Sequence, residues 1–148
     1  MENQIVKSLI VAFKKSAWAP ITFFLIHTIS TQIFRGYLRF PNLDTLEHFI
    51  GGVAIAYFFY KLLASVRASL FQSKYANAMH NLVTFLAVGT TTAFWEFTEY
   101  ILDRTVVIHG IRQGSIGDTM FDMALGMVGA IVYLIVVWYM SRRVRIKS

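Results

Sequence analysis

The stretch that decides the fold is GDTMFDMALGMVGAIVYLIVVWYM, residues 117–140. It is long and apolar enough to cross the hydrocarbon core of a membrane as a helix, for which about 20 residues suffice. Asp118 and Asp122 stand one helical turn apart at its start, so their side chains share one face. The stretch therefore predicts a membrane-spanning helix that carries two carboxylates at one end.

Three further apolar runs precede this stretch. With a composition that is 56% hydrophobic and a mean hydropathy of +0.55, they predict an all-α, polytopic transmembrane helical bundle of about four spans in a single domain, residues 1–148. The first run is the most polar, and an interfacial helix with a re-entrant segment over residues 5–34 is the alternative there. The predicted elements are an N-terminal amphipathic segment 1–17, spans 18–34, 46–66, 79–101 and 117–140, and a basic C-terminal tail 141–148.

The basic residues predict the orientation of the chain. Short cytoplasmic loops retain Lys and Arg, and four spans place ten of the 14 basic residues on one side of the membrane. Both termini are therefore predicted to lie in the cytoplasm. The net charge of +6 does not indicate a nucleic acid, because the basic residues form no single stripe. The expected partners are membrane lipids and a further copy of the chain in a homo-oligomer.

The acidic residues gather at the opposite end, where three helix ends meet. A rise of about 1.5 Å per residue places Glu96 roughly 9 Å and Asp122 roughly 7 Å inside their helices, with His48 somewhat less deep. Ionised groups that face lipid at this depth cost a few kcal/mol each, so they are expected to line a shared, inward-facing acidic cup. Its carboxylates are Asp44, Glu47, Glu96, Glu99, Asp103, Asp118 and Asp122.

Three uses of the acidic cup stay open. The first is a divalent metal site, because one imidazole with several carboxylates suits Mg²⁺, Mn²⁺, Fe²⁺ or Zn²⁺, while the lack of cysteine excludes thiolate ligands. The second is a proton or cation path. The third is a structural plug neutralised by arginine, although seven acids face only four arginines on that side. The predicted metal ligands are His48, Glu96, Asp118 and Asp122.

Two predictions stay open for the loop DRTVVIHGIRQGSIG, residues 103–117: a lid that covers the cup and a lipid headgroup in it, or a simple solvated loop. It contains a β-prone Val-Val-Ile run and several glycines that favour turns. Its arginines are the residue type that commonly binds phosphate or carboxylate. The polar groups assigned to the cup beside the metal ligands are Asp44, Asp103, Arg104 and His109, and Arg112 is assigned to an anionic ligand.

Three segments together carry a resemblance to a known family: LDTLEHFIGGVAIAYFF at 43–59, FWEFTEY at 94–100 and GDTMFDMALGMVGA at 117–130. They resemble the bacterial YjdF-like inner-membrane proteins, relatives of the VanZ-like family associated with glycopeptide resistance. The likeness covers roughly residues 40–135. By position, the resemblance points to Asp44, His48, Glu96, Glu99, Asp118 and Asp122.

Two classes of function follow from the acidic cup. As an enzyme, the chain would be a metal-dependent membrane hydrolase or transferase acting on a lipid or lipid-linked headgroup, with Glu99 as base and Arg112 holding the anionic group. Activated water is the expected attacker, since no serine or cysteine stands beside a base. As a non-catalytic protein, it would be a membrane structural or resistance factor, or a transporter-like protein that binds a cation or proton.

Overall fold

The computed structural model describes residues 2–34, 36–40, 42–71, 73–105 and 115–147. Within these ranges the chain is helical and contains no strand, which confirms the predicted all-α helical bundle. The helices are α1 (Glu2–Ser16), α2 (Trp18–Thr28), a short π-helix (Ile29–Ile33), α3 (Gly36–Arg39), α4 (Leu43–Ala64), α5 (Arg67–Leu70), α6 (Ala76–Thr105) and α7 (Ile116–Lys147).

Three helical segments have the length and apolar composition to cross a membrane: Asn3–Thr31, Leu43–Ala64 and Ile116–Arg143. The fourth long helix, α6, has 30 residues and extends about 45 Å at the usual rise per residue. Its consecutive threonines and its carboxylates make it less hydrophobic than the other three. The prediction of about four spans thus corresponds to three strongly apolar segments and one long, more polar helix that packs against α4 and α7.

The first candidate span begins earlier than the sequence predicted, because α1 and α2 are nearly continuous. The amide of Ala17 donates to the Phe13 carbonyl at 2.8 Å, and the amide of Ile21 donates to the Ala17 carbonyl at 3.1 Å. The interruption has a local cause, since Pro20 has no N–H to offer the Ser16 carbonyl. The predicted amphipathic segment and the predicted first span therefore lie on one kinked helix.

This kinked helix runs antiparallel to α4. The rings of Phe13 and Phe58 meet edge to face at 5.6 Å, and those of Trp18 and Tyr57 at 5.7 Å. Residue numbers rise along α1 and α2 as they fall along α4, so the start of α1 lies beside the end of α4. The end of α2 consequently reaches the start of α4.

Helix α4 is the centre of the bundle, because α1, α2, α6 and α7 all pack against it. Its closest approach is to α7, where a Cβ added to Gly52 would meet the Gly126 carbonyl and one added to Gly129 would meet the Phe49 carbonyl. Small residues permit such backbone contact between membrane helices. The contact fixes the separation of the helix ends that carry the acidic residues.

The two ends of the bundle differ in charge. Helix α4 carries Asp44 in its first turn and Lys61 in its last. Helix α7 carries Asp118 in its first turn, and near its other end the guanidinium of Arg142 lies 4.2 Å from the Trp138 ring centre. The acids and bases are thus separated along the helices, as an integral membrane protein requires. Which end faces the cytoplasm stays a prediction.

Candidate metal site

His48 is the centre of the site. It lies on the second turn of α4 and is 9% exposed. Its Nε2 atom faces Asp44 one turn earlier on the same helix, Glu96 on α6 and Asp122 on α7. Glu96 and Asp122 are each 5% exposed. Three helices therefore bring carboxylates to one buried imidazole.

The distances around His48 fit a shared ion. Nε2 lies 3.5 Å from Asp44 Oδ1, 3.8 Å from Glu96 Oε1 and 3.9 Å from Asp122 Oδ2. These separations exceed the roughly 2.7–3.2 Å of an ordinary N–H···O hydrogen bond. Two ligands that each lie about 2.1 Å from a tetrahedral ion are about 3.4 Å from one another. Asp44 is hydrogen bonded to the His48 side chain, whereas the separations of Nε2 from Glu96 and Asp122 leave room for a cation between the atoms.

Glu96 supplies an oxygen that needs a partner. Its Oε1 atom is fully buried and has no hydrogen-bond partner among the described residues. The side chain of Thr119 makes a hydrogen bond with the same carboxyl group. Leaving a buried polar atom unsatisfied costs about 1–3 kcal/mol, and more for a charged group. Oε1 lies 3.8 Å from His48 Nε2, so the two atoms are close enough to ligate one ion.

Two overlapping sets of side chains have donor atoms that lie within 4.8 Å of one another. One set is Asp44, His48 and Asp122, and the other is His48, Glu96 and Glu99. Both sets contain His48, so we call these five residues the His48 cluster. An imidazole with several carboxylates is a donor set for hard or borderline divalent ions.

Other residues of the predicted acidic cup lie elsewhere. Asp118 is exposed and belongs to neither set, because it stands one turn closer to the end of α7. Asp103 and Arg104 are also exposed, and the Arg104 guanidinium lies 5.1 Å from the Tyr100 ring centre. His109, Arg112 and the predicted β-prone run at 106–108 lie outside the described residues.

A second buried histidine and carboxylate form a pair that the sequence analysis did not connect. His27 Nδ1 and Glu47 Oε2 are 2.7 Å apart and hydrogen bonded, and the residues are 7% and 8% exposed. Neighbouring positions on a helix point about 100° apart, so Glu47 faces α2 while His48 faces α6 and α7. The sequence shows that Glu47 and His48 are adjacent and so face different helices, but it does not show that Glu47 pairs with His27, which is twenty positions away.

We expect His27 and Glu47 to be energetically coupled. Replacing Glu47 with leucine leaves His27 buried without its partner, which costs about 1–3 kcal/mol, and adding His27→Leu recovers part of that loss. Thermal unfolding of the purified protein in detergent measures this double-mutant cycle, with an expected coupling of about 1 kcal/mol or more. In the control cycle, Glu47→Leu combined with the distant His80→Leu is additive. Additivity of His27→Leu and Glu47→Leu would show that the hydrogen bond contributes nothing.

An apolar cavity of about 330 Å³ opens beside the His48 cluster, between α2, α4 and α6. His48 and the His27–Glu47 pair contribute polar atoms to its wall, and the remaining wall is mainly apolar. The Trp95 ring meets the rings of His27 and Phe24 edge to face at 5.1 and 6.1 Å, and so joins α6 to α2. The aromatic residues of the wall are Phe23, Phe24, Phe94 and Trp95.

Residues 6–143 match a family described as predicted membrane protein (DUF2238). The chain belongs to this family. An uncharacterized protein of Thermotoga maritima is 28% identical over 104 residues, which cover 70% of this chain and 52% of the relative. The chain thus spans about half the length of that relative. No solved structure matches the chain. Family membership and the three apolar helices agree that this is an integral membrane protein.

Proposed function

We propose that this protein binds a divalent metal ion in the His48 cluster and acts on a lipid or lipid-linked headgroup as a hydrolase. The observation that carries the proposal is the buried Glu96 Oε1 atom, which has no partner among the described residues and lies 3.8 Å from His48 Nε2. His48 forms one candidate donor set with Glu96 and Glu99 and a second with Asp44 and Asp122. Either set suits Mg²⁺, Mn²⁺, Fe²⁺ or Zn²⁺.

The chemistry assigned to the site is hydrolysis of a phosphoester. A bound divalent ion supplies a Lewis acid for the phosphoryl oxygen and an activated water. Glu99 is half-buried at the edge of the cluster and accepts the proton of the attacking water. As the water oxygen bonds to phosphorus, the phosphorus–oxygen bond to the lipid breaks, and the proton passes to the leaving oxygen. Arg112 is proposed to hold the anionic group.

The adjoining cavity supports an amphipathic substrate. Small-molecule sites commonly enclose about 300–1,000 Å³ and combine an apolar wall with a few polar groups, and this cavity has about 330 Å³. Its polar lining residues are His48, His27, Glu47 and three threonines of α6, and the rest of its lining is apolar or aromatic. A substrate with its headgroup at the His48 cluster would therefore place an alkyl portion between α2 and α6.

The likeness to YjdF-like and VanZ-like proteins belongs to the same proposal. We infer from it a bacterial inner membrane as the location of the chain, and from the distribution of basic residues an orientation with both termini in the cytoplasm and the His48 cluster at the outer face. The support for this orientation is the separation of charge along α4, from Asp44 in its first turn to Lys61 in its last, together with the tendency of basic residues to stay inside.

A second candidate is a non-catalytic function, in which the cluster stabilises the bundle or holds a cation or proton without turnover. The His27–Glu47 pair favours this candidate, because it shows a buried acid of this bundle hydrogen bonded directly to a histidine, at 2.7 Å. The non-catalytic candidate calls for contacts between His48 and its carboxylates as short as the 2.7 Å of the His27–Glu47 pair. The distances from His48 Nε2 to the three carboxylates are longer, 3.5–3.9 Å, and favour the metal site.

The test is metal-dependent release of inorganic phosphate from short-chain phosphatidic acid and from a lipid diphosphate. The full chain, loaded separately with each of the four ions, is expected to release phosphate from at least one substrate. Glu99→Gln is expected to lower kcat by about 100-fold or more, since general-base catalysis contributes roughly that much. The control Asp103→Asn removes an exposed carboxylate one turn further along α6 and keeps full activity. Stoichiometric metal without release from either substrate would favour the non-catalytic candidate.

A further inference from the structure

A basic groove lies between α1 and α4, at the opposite end of the bundle from the His48 cluster. It is a cavity of about 610 Å³. We define it by the lysines Lys7, Lys15 and Lys61 together with Val11 and Tyr57, all of which line it. Its position follows from the antiparallel packing of the two helices, which puts the N-terminal half of α1 beside the last turns of α4.

The spacing of the lining residues shows that each helix directs one face into the groove. Lys7, Val11 and Lys15 follow one another at intervals of four on α1, as Tyr57 and Lys61 do on α4. Residues four apart are neighbours on one side of a helix. Lys7 and Lys15 are thus separated by about 12 Å along the axis. The groove is therefore a strip of positive charge and not one isolated lysine.

Among the described residues, no acidic group is paired with the lysines of the groove. No carboxylate lines it, and none of its lysines has a carboxylate within salt-bridge distance in the described part of the chain. The lining hydroxyls of Ser16 and Ser65 donate to carbonyls of their own helices. The lysine ammonium groups line the groove together with the hydroxyls of Ser8 and Tyr57, and all of these groups are donors suited to an external anion.

The surroundings of the groove indicate that this anion is attached to a lipid. Val6, Ile10, Val11 and Phe13 of α1 are 48–52% exposed and belong to a candidate membrane span. Basic pockets between membrane helices recognise anionic headgroups, while apolar side chains beside them contact acyl chains. A free anion would gain nothing from these apolar neighbours.

We propose that the basic groove binds the phosphate-bearing headgroup of an anionic lipid, with the acyl chains against the exposed apolar side chains of α1. The lysines contact the phosphate oxygens, and Val11 lies where headgroup and chains join. This assignment is independent of the metal site, because none of its residues belongs to the His48 cluster.

The test compares lipid binding by the full-length protein purified in a neutral detergent. Short-chain phosphatidylglycerol, phosphatidylcholine and inorganic phosphate are titrated separately, and native mass spectrometry counts the bound molecules. We expect phosphatidylglycerol to bind about tenfold more tightly than phosphatidylcholine, a modest figure for three lysines near a headgroup. The double variant K15Q/K61Q is expected to reduce this preference to about twofold or less.

Two controls separate a local site from the effect of net charge. K14Q/K74Q removes the same charge outside the groove and is expected to keep the preference, and K15R/K61R keeps the charge within it and is expected to do the same. An equal loss in K15Q/K61Q and K14Q/K74Q would overturn the proposal, as would an unchanged preference in K15Q/K61Q. If inorganic phosphate binds in a lysine-dependent way and the protein shows no preference between the two lipids, the ligand of the groove is a free anion and the lipid proposal is wrong.

Discussion

Replacing His48 with glutamine is expected to abolish metal binding by the purified protein. His48 belongs to both sets of candidate ligands, so the substitution removes the donor that they share. Even residues that only support a metal ligand typically contribute about 10–100-fold to affinity, and loss of a ligand should cost at least that much. Elemental mass spectrometry after desalting should find about one ion per chain in the unaltered protein and less than about a tenth in the variant.

The matched control is His27→Gln. His27 is also a buried histidine beside a carboxylate, but it belongs to neither candidate set, so its substitution should leave the metal content unchanged. Asp118→Asn should likewise retain the ion, whereas Asp122→Asn should lower its occupancy. If the unaltered protein holds no ion after incubation with Mg²⁺, Mn²⁺, Fe²⁺ and Zn²⁺, the metal site is wrong and the non-catalytic candidate replaces it.

The contrast between Asp118 and Asp122 shows how far the sequence can locate the site. Residues four apart on α7 share a face, so the spacing correctly brought Asp122 toward His48 but could not separate it from Asp118. Depth distinguishes them, because one turn moves a side chain about 6 Å along the helix. That difference leaves Asp118 exposed and Asp122 buried. The depth along the helices at which side chains become buried depends on how the three helices pack together. The sequence pattern of one helix does not determine that packing.

The His27–Glu47 pair illustrates a second limit. Charge patterning predicted that the carboxylates would collect at one end of the bundle, and Asp44, Glu96 and Asp122 do lie together around His48. Pairing a specific histidine with a specific acid requires the relative rotation of α2 and α4, which is set by distant contacts such as that between the Trp18 and Tyr57 rings. The sequence also predicted a boundary between an amphipathic segment 1–17 and a span 18–34, whereas local backbone hydrogen bonds on either side of Ala17 make α1 and α2 nearly continuous.

Replacing Gly52 with alanine is expected to destabilise the protein, whereas the same change at Gly89 should stabilise it slightly. A Cβ at Gly52 would meet the backbone carbonyl of Gly126, which cannot rotate away as a side chain can. Overpacking of this kind costs about 1–3 kcal/mol. A Cβ at Gly89 would meet only the flexible Met127 side chain, at 3.8 Å or more. Its effect should therefore be the usual helical gain of about 0.5–1 kcal/mol for alanine over glycine.

Thermal unfolding in detergent measures both variants, and metal content shows how the packing affects the site. The contact between α4 and α7 lies one turn below His48 and Asp122, whose side chains are 3.9 Å apart. An alanine at Gly52 should push α4 and α7 apart, widen the distance between His48 and Asp122, and weaken metal binding. Gly89→Ala should leave the separation of α4 and α7 and the metal affinity unchanged. If Gly52→Ala is as stable and binds metal as tightly as Gly89→Ala, the close backbone contact does not position the site.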